Sequence, residues 1–145
     1  MIFIAYTTFV LAFSYSTYVY WFPDKTDTRL VSTSEQYVID AAKYDITVNL
    51  EDLRYIGIAD LPDNLAGFGL SPHVLLHEDY ISNTEVLYHE LTHSLGKCFG
   101  HVEGPEGYSI MDKDIYVEHL TWGEAVEKLF TKDIYEINCN FKGMR

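Results

Sequence analysis

The hydrophobic and polar positions along the chain predict strands and one helix in the first half, followed by two further helices. Between Ser32 and Asp45, apolar residues recur about every 3.6 positions behind a Ser-x-x-Glu capping pattern, which predicts an amphipathic helix. The segment Pro62–Pro72, which contains two glycines, is predicted to be a loop. Alternating or β-branched apolar runs predict strands at Tyr15–Phe22, Ile46–Leu50, Leu53–Leu61 and His73–Tyr80.

Capping signals also define the second predicted helix, which follows directly behind the last predicted strand. Ser82 and Glu85 form a capping box, and Gly96 stands where a helix commonly ends. These signals predict a helix from Asn83 to Leu95. It contains the sequence His-Glu-Leu-Thr-His, so it is also the segment of the chain with the most specific candidate chemistry.

The third predicted helix begins after Thr121, which forms another capping box with Glu124. The segment Cys98–Asp114 contains three glycines and a proline and is predicted to be irregular. The whole order of elements predicts an α+β fold, built as one domain over the 145 residues. The predicted buried stripe of the third helix consists of Ala125, Val126, Leu129 and Phe130.

The central helix carries two histidines in the spacing of a metal site. His89 and His93 are four residues apart, so both side chains project from one face, about one turn from each other. Two imidazoles in this arrangement can bind one Zn²⁺ ion. Glu90 follows His89 directly and can reach a water at the metal without being a ligand, which is the role of a general base.

A catalytic zinc site needs a third protein ligand and one open position. Gly96 lets the chain turn back after the helix, and the first histidine beyond that turn is His101. His101 is therefore the predicted third ligand. The alternative third ligands are the acidic residues that follow it, namely Glu103, Asp112 and Glu118, with Glu124 on the last helix as a weaker candidate.

The segment Tyr88–Met111 resembles the active-site region of the metzincins, a family of zinc metalloproteases within the zincin superfamily. That family has the pattern His-Glu-x-x-His-x-x-Gly-x-x-His, followed by a methionine turn beneath the zinc, and Met111 resembles the methionine of that turn. The order of predicted strands and helices extends the resemblance to most of Ser14–Phe130. The residues that match the first part of the pattern are His89, Glu90, His93 and Gly96.

The chain departs from the metzincin pattern at one position. Phe99 stands where the family has its third histidine, and His101 follows two residues later. Gly100 lies in the longer connection and would let it bring His101 beneath the helix. A glutamate ligand from a later part of the chain, such as Glu118, would resemble the gluzincins instead, but that group lacks the methionine turn.

The resemblance implies a small twisted mixed sheet packed on two to three helices, and a zinc-dependent endopeptidase. Glu90 would take a proton from the attacking water and deliver it to the leaving amine. The predicted strand His73–Tyr80 would be the edge strand that binds a peptide or protein substrate by strand addition. The alternative function is a metzincin-like module that binds zinc and serves a structural or peptide-binding role without catalysis.

The amino-acid composition argues against some classes of binding partner. The chain has 22 acidic and 10 basic residues, a formal net charge of −12, which argues against nucleic acid and anionic membrane surfaces as partners. The charge is compatible with a weak preference for basic substrates, but a well-solvated acidic surface is the favoured explanation. The two cysteines, Cys98 and Cys139, allow at most one internal disulfide, and a paired or buried thiol is favoured over a ligand role for Cys98.

The N-terminal segment Met1–Phe22 carries no charge and admits three interpretations. The aromatic and β-branched alternation of its second half favours a core strand. A signal peptide, with a small-x-small site at Ala12–Ser14, or a membrane anchor are the alternatives, since the segment is long enough to span a bilayer. These alternatives place a secreted, surface- or particle-associated location ahead of a cytoplasmic one and leave contact with a membrane open.

Overall fold

Helix α1, Thr28–Ala42, opens the part of the chain that the computed structural model describes, residues 28–144. The helix starts four residues before the predicted start and ends three residues before the predicted end. Ser32 is not its cap, because the Ser32 hydroxyl lies within the helix and donates to the Arg29 carbonyl. Tyr37 and Ala41 are fully buried and face the rest of the core, as the predicted stripe requires.

Three short strands form one mixed sheet. Strands β1 (Tyr55–Ala59), β2 (Gly67–Leu70) and β3 (His73–His77) lie in the order β1-β3-β2. Strand β1 runs parallel to β3, and β2 runs antiparallel to it. The sheet and the helices confirm the predicted α+β class with a small mixed sheet.

One predicted strand and one predicted loop were wrong. The segment Ile46–Leu50 contributes only a single bridge, between Thr47 and Lys142, and then enters a 3₁₀ turn, although Ile46 and Val48 are buried. Conversely, β2 forms inside Pro62–Pro72, which was predicted to be a loop because of its glycines. The alternation in Ile46–Leu50 arises because every second side chain is buried. An extended chain can bury its side chains in this way without pairing to a neighbouring strand.

The position of β3 in the sheet also differs from the expectation. His73–Tyr80 was expected to be an edge strand, but β3 pairs with β1 on one side and with β2 on the other, so it is central. After His77 the chain enters a 3₁₀ turn, Glu78–Tyr80. Among the described strands, the edges of the sheet are therefore β1 and β2.

Helix α2, Thr84–Gly96, is the central element of the fold. Its cap is Asn83, whose side chain accepts a hydrogen bond from the Val86 amide, rather than the predicted Ser82. Gly96 is the last helical residue, and the left-handed conformation that ends the helix belongs to Lys97, with φ 51°. Gly96 is required for another reason, since a Cβ there would come within 2.5 Å of the Phe141 ring.

The C-terminal region follows the prediction and adds one feature. Residues 97–121 contain only turns and bends, and helix α3, Trp122–Lys128, begins at the predicted capping box of Thr121 and Glu124. The predicted apolar stripe is buried. The chain then forms a π-helical turn, Leu129–Asp133, and a short helix α4, Ile134–Glu136, which the sequence pattern did not predict.

The predictions for the N-terminal segment lie outside the described residues. These are the core strand at Tyr15–Phe22 and the alternatives of a signal peptide or an anchor at Met1–Phe22. Within residues 28–144, no helix combines the length and the apolar content that crossing a membrane requires.

Candidate metal centre

Helix α2 and the loop behind it bring three histidines together. His89 and His93 project from one face of the helix, and His101 approaches them from the irregular segment. Each histidine offers one ring nitrogen such that the three atoms lie within 4.8 Å of one another. The group can therefore hold a metal ion, and it consists of the three residues that the sequence predicted as ligands.

The alternative acidic ligands are engaged elsewhere or lie outside this group. A carboxylate oxygen of Asp112 accepts a hydrogen bond from the Ser109 amide. Glu118 accepts a hydrogen bond from the Tyr116 hydroxyl, and Glu124 caps α3. In the described part of the chain, the set of possible metal ligands at this position contains the three histidines and no carboxylate.

Backbone carbonyls orient two of the three imidazoles. The Nδ1 atom of His89 lies 2.7 Å from the Ile110 carbonyl oxygen, and Nδ1 of His93 lies 2.8 Å from the Cys98 carbonyl oxygen. A carbonyl can only accept, so each Nδ1 carries the proton and donates it. Each Nε2 is then left with a lone pair, which is the atom and the tautomer that metal-binding histidines commonly use.

The Nε2 atoms of His89 and His93 face each other in an arrangement that a cation would stabilise. Nε2 of His89 and Nε2 of His93 lie 2.9 Å apart, so two lone pairs are directed into the same small space. An added proton would relieve this only by creating an imidazolium, which burial opposes. Burial and the neighbouring His93 lower the pKa of His89 to about 3. A metal ion accepts both lone pairs without protonating either ring, so the residues present fit a metal.

His101 completes the group from the solvent side. Its side chain is exposed, while His89 is buried and His93 is half-buried, so the centre opens towards solvent at His101. The side of the His101 ring that faces the protein loses contact with water, and this desolvation, together with the nearby Lys113, lowers the pKa of His101, while burial also lowers the pKa of His93. All three rings are consequently held in the neutral form that a metal requires near neutral pH.

Glu90 is a buried carboxylate between α2 and the edge strand β2. Glu90 is 3% exposed, and burial raises the pKa of its carboxyl to about 8. The Gly69 backbone has the opposite, smaller effect and lowers this pKa. A Cβ at Gly67 would lie 2.7 Å from Cγ of Glu90, and a Cβ at Gly69 would collide with the Glu90 carbonyl oxygen. The two glycines therefore make the space that the carboxylate occupies.

The role of these glycines was missed in the sequence. Gly67 and Gly69 were taken as loop residues, whereas they lie two apart on a strand and present the same face to α2. Glycines at this spacing next to a strand can mark a close approach of another element. That spacing is the signal that could have located the partner of Glu90.

Two tyrosine hydroxyls fix α2 against α1 behind the histidines. The Tyr88 hydroxyl donates to the Asp40 carboxylate at 2.7 Å, and the Tyr37 hydroxyl lies 2.8 Å from the Thr92 hydroxyl. Both tyrosines are fully buried, and their rings pack edge to face. These contacts restrain rotation of α2, which would otherwise move His89 and His93 together.

A disulfide anchors the loop that follows α2. Cys98 is bonded to Cys139, so its sulfur is a disulfide atom and not a metal ligand. The carbonyl of the same Cys98 accepts the hydrogen bond from His93. The disulfide thus ties the acceptor for one imidazole, and the start of the loop that carries His101, to the C-terminal segment.

The segment that resembled a methionine turn lies beneath the same centre. Met111 is fully buried, and its carbonyl oxygen accepts a hydrogen bond from the Val102 amide at 2.9 Å. The preceding carbonyl, of Ile110, is the one that accepts from His89. This turn therefore supports one imidazole directly and holds the residue next to His101. Comparisons of the chain with protein-family models, with curated proteins and with solved structures found no match.

Proposed function

We propose that this protein is a zinc-dependent endopeptidase of the metzincin type. His89, His93 and His101 would hold the zinc, and Glu90 would act as the general base. The observation that carries the proposal is the pair of opposed Nε2 atoms, 2.9 Å apart, on the helix that also carries the buried carboxylate of Glu90 directly after His89. Histidines with a purely structural role would be expected to direct their ring nitrogens to donors and acceptors of the protein instead.

The chemistry divides between the metal and Glu90. Zinc at the three nitrogens would supply a Lewis acid that polarises a substrate carbonyl and makes water more acidic. Glu90 accepts a proton from the water that attacks the peptide carbon and passes this proton to the departing amine. The hydroxyl group stays on the acyl carbon, so the products are a carboxylic acid and an amine. In the metal-free protein, burial raises the pKa of the Glu90 carboxyl, which brings it closer to the range of a general base than the pKa of an exposed glutamate is.

Strand β2 is the element suited to bind the substrate backbone. It pairs with β3 on one side, and the described strands leave its other side without a strand partner. Gly67 and Gly69 already lie against Glu90, so a peptide added along β2 would run beside the general base. The substrate strand expected along His73–Tyr80 is therefore assigned to β2 in this proposal.

The test separates hydrolysis from metal binding. Purified protein is analysed for zinc and assayed on an unstructured protein such as casein, with and without a chelator. Glu90→Gln is expected to keep zinc and fold but to lose activity by on the order of 10²–10⁴ in rate. Glu35→Gln, on the exposed surface of α1, removes the same charge away from the centre and should leave activity unchanged.

Two outcomes would redirect the assignment. Wild-type protein that contains zinc but cleaves nothing across a broad peptide library would contradict the enzyme and favour the zinc-binding module without catalysis. Wild-type protein that takes up no zinc, or that retains its activity when a chelator has removed the metal, would contradict both functions.

A further inference from the structure

Asp133 is a fully buried carboxylate that the proposed reaction does not use. It ends the π-helical turn Leu129–Asp133, and one of its carboxylate oxygens lies 2.9 Å from the Lys128 ammonium group. The other oxygen accepts a hydrogen bond from the Ser109 hydroxyl at 2.5 Å. The Lys128 side chain is 24% exposed, whereas Ser109 and Asp133 are fully buried, so the ion pair lies at the edge of the core and the hydrogen bond from Ser109 lies inside it.

Ser109 connects this carboxylate to the turn beneath the metal centre. Its hydroxyl donates to Asp133 and accepts a hydrogen bond from the Met111 amide at 2.9 Å. Its own amide donates to the Asp112 carboxylate at 3.1 Å. Ser109 is fully buried, and all of its described hydrogen bonds either close the turn Ser109–Asp112 or attach that turn to the π-helical segment.

The turn Ser109–Asp112 contacts one candidate ligand and the backbone next to another. The Ile110 carbonyl accepts from Nδ1 of His89 at 2.7 Å. The Met111 carbonyl accepts from the amide of Val102, the neighbour of His101, at 2.9 Å. A shift of this turn would therefore move the acceptor for one imidazole and the backbone beside another at the same time.

We propose that Ser109 and Asp133 are positioning residues of the metal centre. Asp133 fixes the Ser109 hydroxyl, the hydroxyl fixes the Met111 amide, and the turn then directs His89 and His101 towards a common point. π-Helical turns occur frequently at functional sites, and this one places Asp133 under the turn. The inference rests on the metal-binding part of the proposed function and is independent of whether the protein hydrolyses peptides.

The test is the affinity for metal, measured with Zn²⁺ by chelator competition and with Co²⁺ by its visible absorption. Residues that hydrogen-bond to metal-bound histidines commonly contribute 10–100-fold to metal affinity. Ser109 is one hydrogen bond further from the metal than such residues, so Ser109→Ala should lower the affinity for both Zn²⁺ and Co²⁺ by roughly tenfold. Its Co²⁺ spectrum should also change, because the nitrogens surround the ion differently. Asp133→Asn should act in the same direction.

Lys128→Gln provides the matched control. It removes the ion pair at one oxygen of Asp133 and leaves the hydrogen bond from Ser109 at the other, so its affinity for metal should stay within about twofold of wild type. If Ser109→Ala binds both metals as tightly as wild type and with the same spectrum, the inference is overturned even where unfolding is easier. If Asp133→Asn does not fold, Ser109→Ala decides alone. A wild-type protein that binds no metal would overturn the proposed function as well, which distinguishes the two failures.

Discussion

Gly69 on strand β2 lies directly against Glu90 on helix α2, since a Cβ added at Gly69 would come 2.3 Å from the Glu90 carbonyl oxygen and 3.0 Å from a carboxylate oxygen. This contact joins the edge of the sheet to the helix that carries two of the candidate ligands, and it exists because neither glycine of β2 has a side chain in the way. The same two glycines bring the backbone of the strand to the group proposed as the general base. The proposal thus makes β2 both a wall of the site and a guide for the substrate.

The first prediction concerns the two glycines separately. A methyl group at Gly69 would meet the backbone of Glu90, which cannot move without displacing α2, so Gly69→Ala should lower the free energy of unfolding by about 1–3 kcal/mol. A methyl group at Gly67 would meet mainly the flexible Glu90 side chain, so Gly67→Ala should cost less stability but displace the carboxylate and reduce hydrolysis. Urea unfolding of the metal-free protein and the casein assay measure the two effects.

Gly104→Ala is the control for this pair, because nothing lies within 4 Å of the methyl group that it adds. Its free energy of unfolding should lie within about 0.5 kcal/mol of the wild-type value, and its rate of casein cleavage should be unchanged. Equal stability losses for the substitutions at Gly67 and Gly69 would contradict the distinction between a side-chain and a backbone collision.

The second prediction concerns the third ligand. His101→Ala removes one of the three nitrogens in the group, so zinc affinity should fall by more than the roughly 100-fold that a partner residue contributes. The comparison is with His119→Ala, which removes a histidine that stacks on Tyr108 outside the group. If His101→Ala retained full zinc affinity, the third ligand would have to be sought among the acidic residues of the loop.

Parts of the site were predictable because they depend on helical geometry alone. The spacing of His89 and His93 places both on one face of any helix, so their proximity follows from the sequence. His101 was predictable only as a candidate among several. Its position depends on the path of a loop held by the Cys98–Cys139 disulfide and by the hydrogen bond between Val102 and Met111, and neither contact can be read from the local sequence pattern.

The errors in the fold have a similar origin. Strand β2 was predicted as a loop because glycine has a low intrinsic preference for strands, and the reason for its glycines is a tertiary contact with Glu90. Strand order is not encoded in local alternation, so the central position of β3 was not visible. The π-helical turn Leu129–Asp133 likewise leaves the buried stripe of α3 unchanged and therefore gave no signal in the hydrophobic pattern.

The third prediction concerns the disulfide. Cys98 and Cys139 are 41 residues apart, and the chain-entropy model assigns about 4 kcal/mol of stabilisation to a crosslink that closes a loop of this length. Reduction, or the double variant Cys98→Ala/Cys139→Ala, should therefore lower the free energy of unfolding by up to about this amount. It should also weaken zinc binding, since the Cys98 carbonyl orients His93.

The measurements are urea unfolding without metal and chelator competition, each before and after reduction. The double variant serves as the control for reduction, because a reducing agent should not change its stability or its affinity for zinc any further. A fall in stability with unchanged zinc affinity would show that the disulfide supports the fold but does not position His93.

The last prediction compares the two tyrosines that join α2 to α1. Burial alone would raise the pKa of Asp40, but hydrogen bonds from Lys43, Tyr88 and Gln36 outweigh it and lower the pKa overall. A carboxyl whose pKa is lowered by folding adds stability above its unfolded value of about 3.9, and this stability is lost as the pH falls through the lower folded value. Tyr88→Phe removes one of the hydrogen bonds to that charge, so it should cost about 1.5–3 kcal/mol at pH 7.

Tyr37→Phe is the matched substitution, since Tyr37 is equally buried and its hydroxyl meets the neutral Thr92. It should cost only about 1 kcal/mol, because a hydrogen bond between neutral groups contributes less. This cost should also stay constant with pH, whereas the cost of Tyr88→Phe should shrink below about pH 4 as Asp40 becomes protonated. Urea unfolding of the metal-free proteins between pH 7 and pH 3 measures both. Two costs of the same size and the same pH dependence would mean that the charge of Asp40 does not contribute to holding α2 in place.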